Sequence, residues 1–193
     1  MPDIRTNFLF LFPDQQRPDW LGFTPGLDVR TPALQRLADR GVRFTNAVTP
    51  SPLCAPARAC LASGRRYEEC RVPDNNCDYP LDLPTYYQQL RDVGYRVAGV
   101  GKFDLHKDTS DFAALDWHLD GSRLLDEWGF TEGIDNEGKI DGSMSYRKAG
   151  RPKGPYLKFL ADRGLADFYV EEHERRRESL DAYVTALPDE IGR

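Results

Sequence analysis

A short, continuous apolar run, NFLFLF at residues 7–12, ends at Pro13. An unbroken run of this length, without polar alternation, is typical of a strand buried on both faces in a parallel sheet. Such a strand delivers the residues that follow it to the edge of the sheet. The polar segment PDQQRPD (13–19) is therefore expected at that edge.

Two further elements are predicted before residue 50. Thr31 is placed as the N-cap of a helix that has Pro32 at its first position and stops at Gly41. Residues 42–48 (VRFTNAV) alternate apolar and polar side chains of strand-forming types, which indicates a strand. This strand would lead into the segment SPLCAPAR (51–58).

The next stretch continues the alternation of helix and strand. A short helix is expected from Pro56 to about residue 63, ending at Gly64, and a second one in 83–94, ending at its glycine. YRVAGV (95–100) is the strand that follows and ends at GKFDLHK. This order predicts an α/β fold, a mostly parallel sheet flanked by helices. Ligands of such sheets bind beyond the carboxyl ends of the strands, where all three polar clusters would meet.

Composition limits the class of protein. A chain of 193 residues favours one domain, and its net charge of -5 comes from 31 acidic and 26 basic residues without a long block of either sign. That distribution argues against nucleic-acid binding. The apolar run at 8–12 is too short for a signal-peptide core or a membrane span, so the prediction is no membrane association and a cytoplasmic location.

Four cysteines, Cys54, Cys60, Cys70 and Cys77, fall in one region. Without a secretory signal they are expected to be reduced rather than paired, and an oxidised chain could connect them in three ways. No two of them have the separation of two to four residues with which structural zinc sites usually begin. A structural zinc site is therefore not expected.

Cys54 and Arg58 are the first candidates for chemistry. Cys54 lies beside a predicted helix N-terminus, where backbone N–H groups and the helix dipole favour anions, and Arg58 lies one turn further on. Together they describe an anion pocket with a sulfur nucleophile. The alternative is a buried core cysteine, which is a common role for this residue type.

Several blocks resemble the sulfatase family. CAPAR followed by ACLASGR (54–65) is similar to its Cys-x-Pro-x-Arg motif, whose cysteine is oxidised to formylglycine. Residues 7–22, 31–52 and 94–107 resemble the first strand with its metal loop, the segment leading into the motif, and the lysine strand. The resemblance is strong over 1–109 and weak over 110–193. It implies that 1–193 is the N-terminal part of a catalytic domain with the alkaline-phosphatase-like sulfatase fold.

The resemblance also implies roles for individual residues. Cys54, as formylglycine, would be the nucleophile, with Arg58 and Lys102 as cations that stabilise the charge on the transferring sulfate. His106 would contact sulfate or the aldehyde hydrate. A divalent cation, calcium by resemblance, would be bound by Asp14, Gln15 and Cys54.

The chain departs from the family pattern at several places. Gln15 stands where the family usually has a second aspartate, and Asp104 where it has a histidine, so Asp104 could face the substrate instead. Nothing in 110–193 resembles the block that carries the remaining metal ligands. Residues 146–155 are predicted as a basic loop, available to an anionic substrate or simply solvated, and 167–184 as a solvated helix. The basic residues of the loop 146–155 are Arg147, Lys148, Arg151 and Lys153.

The predicted function is hydrolysis of a sulfate monoester of a small molecule or carbohydrate, after conversion of Cys54 by a formylglycine-generating maturation enzyme. The alternatives are a phosphonate or phosphate ester hydrolase of the same superfamily, and a noncatalytic anion-binding or thiol module. Because the later ligands are missing, the chain is expected to be a fragment of a longer enzyme or an inactive truncated product. A truncated sheet would leave apolar surface exposed, which predicts self-association.

Overall fold

A computed structural model describes residues 5–177. Its backbone contacts divide the chain into two units, Met1–Val48 and Thr49–Arg193. The first unit contains one helix, α1 (Pro32–Ala38), among its described residues. The predicted start is confirmed, because Pro32 occupies the first helical position after Thr31.

The two strands predicted in the first unit are absent. Residues 7–12 and 42–48 have no strand structure, and no residue of 5–48 is buried. Leu9 is 85% exposed and Phe44 is 80% exposed. A strand exists only when a neighbour accepts and donates its backbone hydrogen bonds, and within 5–177 the only paired strands lie in the second unit. The expected apolar exposure is therefore present, while self-association stays a prediction.

The second unit carries a two-stranded parallel sheet and six of the described α-helices. Strand β1 (Ala98–Gly101) pairs with β2 (Glu132–Asp135), in the register Ala98 to Glu132. The helices in chain order are α2 (Cys54–Ser63), α3 (Tyr86–Asp92), α4 (Leu125–Trp128), α5 (Lys139–Ala149), α6 (Pro155–Ala161) and α7 (Ala166–Arg177), with a 3₁₀ helix, Tyr67–Glu69, after α2. The predicted α/β class with a parallel sheet is confirmed.

Local sequence signals explain where these elements start and stop. Thr85 caps α3, because its hydroxyl oxygen accepts a hydrogen bond from the Gln88 N–H, and the Gln88 side-chain oxygen accepts one from the Thr85 N–H. Gly64 ends α2 in the left-handed conformation, as predicted. Between the strands, a Cβ on Gly133 would lie 2.2 Å from the Gly99 carbonyl oxygen, so the close approach of β1 and β2 requires glycine.

Two hydrophobic clusters stabilise the second unit. One joins α2, α4 and the residue before β1 through residues that include Ala59, Trp128 and Val97, and α3 packs against it. The other joins α6 and α7 through Leu157, Leu160, Ala166, Tyr169 and Val170. Burial of such apolar side chains supplies most of the folding free energy.

The later part of the chain differs from its prediction in one place. The predicted loop 146–155 begins inside α5, which continues to Ala149 before a short connection to α6. Its glycine and basic residues suggested a loop, but Gly150 is only the residue that ends the helix, with a φ of 66°. The predicted helix 167–184 is confirmed to Arg177 and otherwise lies outside the described residues. Among the described helices, none has the length and apolarity needed to cross a bilayer.

Candidate functional site

Cys54 occupies the first position of α2 and is partly exposed, with a free thiol. Leu53, the residue before it, has extended backbone angles and provides no side-chain cap. Arg58 follows one turn later on the same helix, where its side chain is buried. The structure thus places the predicted nucleophile and the predicted guanidinium on one helix.

The backbone donors at this helix start are mostly engaged within the protein. The Ala55 N–H donates to Asn75 Oδ1 over 3.0 Å, the Ala57 N–H donates to the Leu53 carbonyl, and Pro56 has no N–H. Residues 55–57 therefore offer no free N–H group, and anion binding at this helix start stays a prediction.

Arg58 connects α2 to the end of β1. Its Nη1 donates a hydrogen bond to the backbone carbonyl of Lys102, 44 residues later. Lys102 directly follows the last residue of β1, at the carboxyl end of the strand. Two of the three predicted sequence blocks, 51–58 and 101–107, are therefore adjacent, as expected for the edge of a parallel sheet.

A buried ionic cluster surrounds the Lys102 side chain. Lys102 Nζ lies 3.1 Å from Asp104 Oδ2, and Lys107 Nζ lies 3.3 Å from the same oxygen. Lys107 also donates to Asp141 Oδ2 on α5. Asp104 is buried and has a φ of 52°, a left-handed value rare for non-glycine residues. The Asp104 carboxylate pairs with two ammonium groups, and a contact between Asp104 and a substrate stays a prediction.

The segment between α2 and α3 joins the two blocks a second time. Asn75 binds the start of α2 through its side chain, and its carbonyl accepts hydrogen bonds from the Thr109 N–H and hydroxyl. Asp78 Oδ1 accepts from the N–H groups of Lys107 and Asp108 at 2.7 and 3.0 Å. Residues 75–78 therefore hold the segment after β1 against α2.

His106 is buried between Asp78 and Trp117. Its Nδ1 lies 3.2 Å from Asp78 Oδ1, an ion pair when the imidazole is protonated, although the alignment is not that of a hydrogen bond. Its ring meets Trp117 edge-on at 6.2 Å between centroids. Among the described residues, Nε2 has no hydrogen-bond partner. Burial alone would raise the pKa of Asp78, but His106 and the two backbone donors lower it to about 2.

Two more carboxylates lie just beyond the ion cluster. Asp135, the last residue of β2, accepts from the Phe103 N–H over 3.0 Å. Burial, with Asp104 and Glu137 nearby, raises the pKa of Asp135 to about 8. Burial also raises the pKa of Glu137, which accepts from the Tyr156 and Leu157 N–H groups at the start of α6. Asp135 is therefore mostly protonated near neutral pH and adds little negative charge.

The sulfatase family model matches residues 6–179. The chain belongs to the sulfatase family. Choline-sulfatase of Rhizobium meliloti is 40% identical over 98 residues, which cover 51% of this chain and 19% of that protein. The uncharacterized sulfatase YidJ of Escherichia coli is 33% identical over 132 residues, 64% of this chain and 26% of that protein.

The N-acetylglucosamine-6-O-sulfatase of Bacteroides thetaiotaomicron is 30% identical over 108 residues, which cover 56% of this sulfatase-family chain and 19% of that protein. The matches thus span only about a fifth to a quarter of the length of these relatives. Family membership is established over the part of the chain that holds the cysteine motif.

The predicted metal ligands of this sulfatase chain fall in different units. Asp14 and Gln15 form an exposed turn in the first unit, where Gln15 has a φ of 54°, whereas Cys54 belongs to the second unit. Calcium takes about six to eight oxygen ligands. Within 5–177, no group of three His, Cys, Asp or Glu side chains is arranged to hold a metal ion. The ligand roles of Asp14, Gln15 and Cys54 therefore stay predictions.

The basic residues of the predicted 146–155 loop are partly engaged in ion pairs. Arg147 pairs with Glu174 at 2.5 Å, and Lys153 pairs with Asp116 at 3.0 Å. These contacts join helices and connections within the second unit. For these two side chains, a structural role therefore accounts for the positive charge.

Sequence reasoning missed Asn75, Asp78, Lys107 and Asp141. The polar run VPDNNCDYP (72–80) could have drawn attention to the first two, because Asn and Asp beside a cysteine-rich segment are typical hydrogen-bonding loop residues. Asp141 had no comparable signal. It lies 34 residues after Lys107, and only the fold brings the two side chains together.

Proposed function

We propose that this chain provides the nucleophile and the anion-binding cations of an enzyme that hydrolyses sulfate monoesters. The observation that carries the proposal is the hydrogen bond from Arg58 to the Lys102 carbonyl. It brings the helix that begins with Cys54 to the segment that carries Lys102. Membership of the sulfatase family supports the same reaction.

The charges of the second unit suit a sulfate ester. Lys102 and Lys107 face the carboxylates of Asp104 and Asp141, so this cluster is balanced, and Arg58 adds a further positive charge. Protonated Asp135 does not cancel that charge near neutral pH. Because Arg58 is buried, its interaction with an anion is screened less than that of a surface arginine.

Cys54 is suited to conversion into formylglycine because its thiol is free and partly exposed at the start of α2. The hydrated aldehyde would supply one hydroxyl to attack sulfur and a second whose deprotonation releases sulfate. Arg58 would bind nonbridging sulfate oxygens through its planar donors. Lys102, oriented by Asp104, would stabilise negative charge that builds up during transfer.

The proposed substrates are sulfate esters of a small molecule or a carbohydrate. Similarity to a choline-sulfatase and to an N-acetylglucosamine-6-O-sulfatase supports both kinds of substrate. The proposed partner is a formylglycine-generating maturation enzyme, and a divalent cation is the proposed cofactor. Cytoplasmic location remains a proposal from the sequence.

The test starts with expression of the chain together with a formylglycine-generating enzyme. Peptide mass spectrometry should show Cys54 converted from thiol to aldehyde, while Cys77, another partly exposed free thiol, stays unchanged. Turnover of an aryl sulfate and of an aryl phosphonate, with and without calcium, is then measured on the full-length protein of which this chain is the expected N-terminal part. Faster turnover of the sulfate is expected, and Cys54→Ala should abolish it.

Two variants distinguish the loss of a cation at the site from a general effect on folding. Lys102→Met should lower kcat by about 100-fold or more, the usual effect of removing one group that stabilises transition-state charge. Arg147→Met, which removes a surface cation of the same unit, should leave turnover within about twofold. An unmodified Cys54 after coexpression, or faster turnover of the phosphonate than of the sulfate, would contradict the proposal.

A further inference from the structure

Two of the four cysteines face each other inside the second unit. Cys60 lies in α2, and Cys70 directly follows the 3₁₀ helix Tyr67–Glu69. Their sulfur atoms are 3.7 Å apart, and the residues are 5% and 0% exposed. The thiol of Cys77 contacts Asp74 Oδ1 instead, at 3.6 Å.

We propose that Cys60 and Cys70 are a disulfide-forming pair, and that Cys54 and Cys77 do not take part. The sulfur atoms need to approach by less than about 2 Å to reach the length of a disulfide bond, near 2.05 Å. Cys54 lies six residues before Cys60 on the same helix, about 9 Å along its axis, which keeps it away from the pair.

The surroundings of the pair favour a bond that persists once formed. Ala59, Ala62, Val72 and Tyr79 belong to the same buried hydrophobic cluster as both cysteines. A disulfide would remove the thiol donor that Cys70 offers to the Tyr67 carbonyl at 3.1 Å, but this carbonyl still accepts from the Cys70 N–H, and small reducing thiols reach the pair poorly. The closed loop is short and already folded, since the 3₁₀ helix lies within it.

The oxidant is a small disulfide such as glutathione disulfide. One protein thiolate attacks it, forms a mixed disulfide and expels one glutathione thiolate. The second protein thiolate then attacks the mixed disulfide and expels the other. Two protons leave the protein thiols, and two electrons pass from the protein to one glutathione disulfide, giving two molecules of reduced glutathione. Burial raises the pKa of the Cys60 thiol to about 11, so the first attack belongs to folding or local opening.

The pairing has a consequence for the start of α2. It ties the last turns of the helix to the following segment, while Cys54 at the first turn keeps a free thiol. The four cysteines are thereby divided into a structural pair, a modifiable residue and Cys77. This inference does not depend on sulfate hydrolysis, and conversion of Cys54 tests the proposed function separately.

The experiment refolds the reduced full chain in buffers with graded ratios of reduced and oxidised glutathione. Free thiols are then alkylated, and the linked peptides are identified by mass spectrometry. A Cys60–Cys70 link is expected, with Cys54 and Cys77 alkylated. The equilibrium constant for its formation should be on the order of 100-fold higher in buffer than in concentrated urea, because only the folded chain holds the sulfur atoms together.

Variants identify the partners. Cys77→Ser should retain the link, whereas Cys60→Ser and Cys70→Ser should each remove it without creating another. The comparison of wild-type chain in buffer and in urea needs no variant, so a variant that fails to fold does not affect it. Alkylation of Cys60 and Cys70 at every glutathione ratio, equal linkage in urea, or a link to Cys54 or Cys77 would overturn the proposal.

Discussion

The two units use apolar residues in opposite ways. In the first, the five apolar side chains of 8–12 are exposed, and no residue of 5–48 is buried. In the second, aromatic and aliphatic side chains such as Trp128 and Leu160 are almost fully buried in two clusters. The contrast is not one of composition, because both units are rich in large apolar residues.

The difference shows what each kind of element requires. Helix α1 forms in the first unit because its hydrogen bonds lie within the helix and Pro32 favours its first turn. A strand has no such internal bonds and needs a neighbour. In the second unit, β1 and β2 supply that neighbour to each other. An apolar segment therefore forms a buried strand only where a neighbouring strand can pair with it.

The largest expected effect is the difference in unfolding free energy between removing a buried apolar side chain of the second unit and removing an exposed one of the first. Trp128→Ala should lower the free energy of unfolding by about 3–5 kcal/mol, because it leaves a cavity in the larger cluster. Phe44→Ala, at a residue that is 80% exposed, should change it by less than about 0.5 kcal/mol. Urea unfolding followed by circular dichroism measures both. Comparable losses would show that Phe44 is buried in solution.

The next effect compares a buried and an exposed carboxylate by their response to pH. The pKa of Asp135 is about 8 in the folded chain and near 3.8 when unfolded, so the folded state binds the extra proton between these values. Its contribution to stability is complete below pH 3.8 and is lost as the pH rises through about 8. Asp135→Asn stays neutral and keeps an oxygen for the Phe103 N–H, so it should remove this decline.

The measurement is the unfolding free energy of wild type and Asp135→Asn at intervals from pH 4 to 9. The wild type should lose on the order of a few kcal/mol relative to the variant across that range. Asp19→Asn is the matched control in the first unit, where Asp19 is exposed and paired with Arg17. Parallel curves for wild type and Asp135→Asn would contradict the assignment of this proton to Asp135.

A smaller effect is expected at Glu137. Its carboxylate accepts from the N–H groups of Tyr156 and Leu157, which the first turn of α6 cannot satisfy internally. Glu137→Ala should destabilise the second unit by about 1–3 kcal/mol, because it leaves buried donors unpaired. Hydrogen exchange of these two amides should accelerate, while amides in α1 of the first unit keep their rates. Unchanged exchange at Tyr156 and Leu157 would refute the capping role.

The smallest effect contrasts two threonines that precede helices. Thr85 accepts from the Gln88 N–H, whereas Thr31 makes no cap of α1 and accepts instead from the Gly22 N–H at 2.8 Å. Thr85→Ala should cost about 1 kcal/mol, and Thr85→Ser should retain most of the cap. Thr31→Ala should leave the helical circular dichroism signal unchanged. A helix loss in Thr31→Ala equal to that in Thr85→Ala would remove the distinction.

The elements that were predictable from sequence are those defined by neighbouring residues. Gly64 and Pro32 mark predicted helix boundaries, whereas α3 begins after Thr85, three residues later than its predicted start. Strand β1 was anticipated because its apolar segment follows a helix stop at Gly94. By contrast, β2 has the sequence EGID, with two acids and a glycine, and only its pairing with β1 makes it a strand.

The candidate site likewise has a part that was predictable from sequence and a part that was not. The cysteine motif on α2 and the lysine after β1 were visible as motifs, and the parallel arrangement predicted their proximity. The contacts that position them come from residues far away in sequence, such as Asn75 and Asp141. Their side chains are common surface types with no distinguishing local pattern, so only the folded chain reveals the role.

The left-handed backbone at Asp104 limits what can replace it. Glycine would adopt the backbone readily but leave two ammonium groups facing each other, while asparagine would fit the backbone without the charge. Glutamate would keep the charge on a side chain that disfavours this conformation. Aspartate is the residue that meets both demands, so very few substitutions at this position would keep both the backbone conformation and the ion pairs.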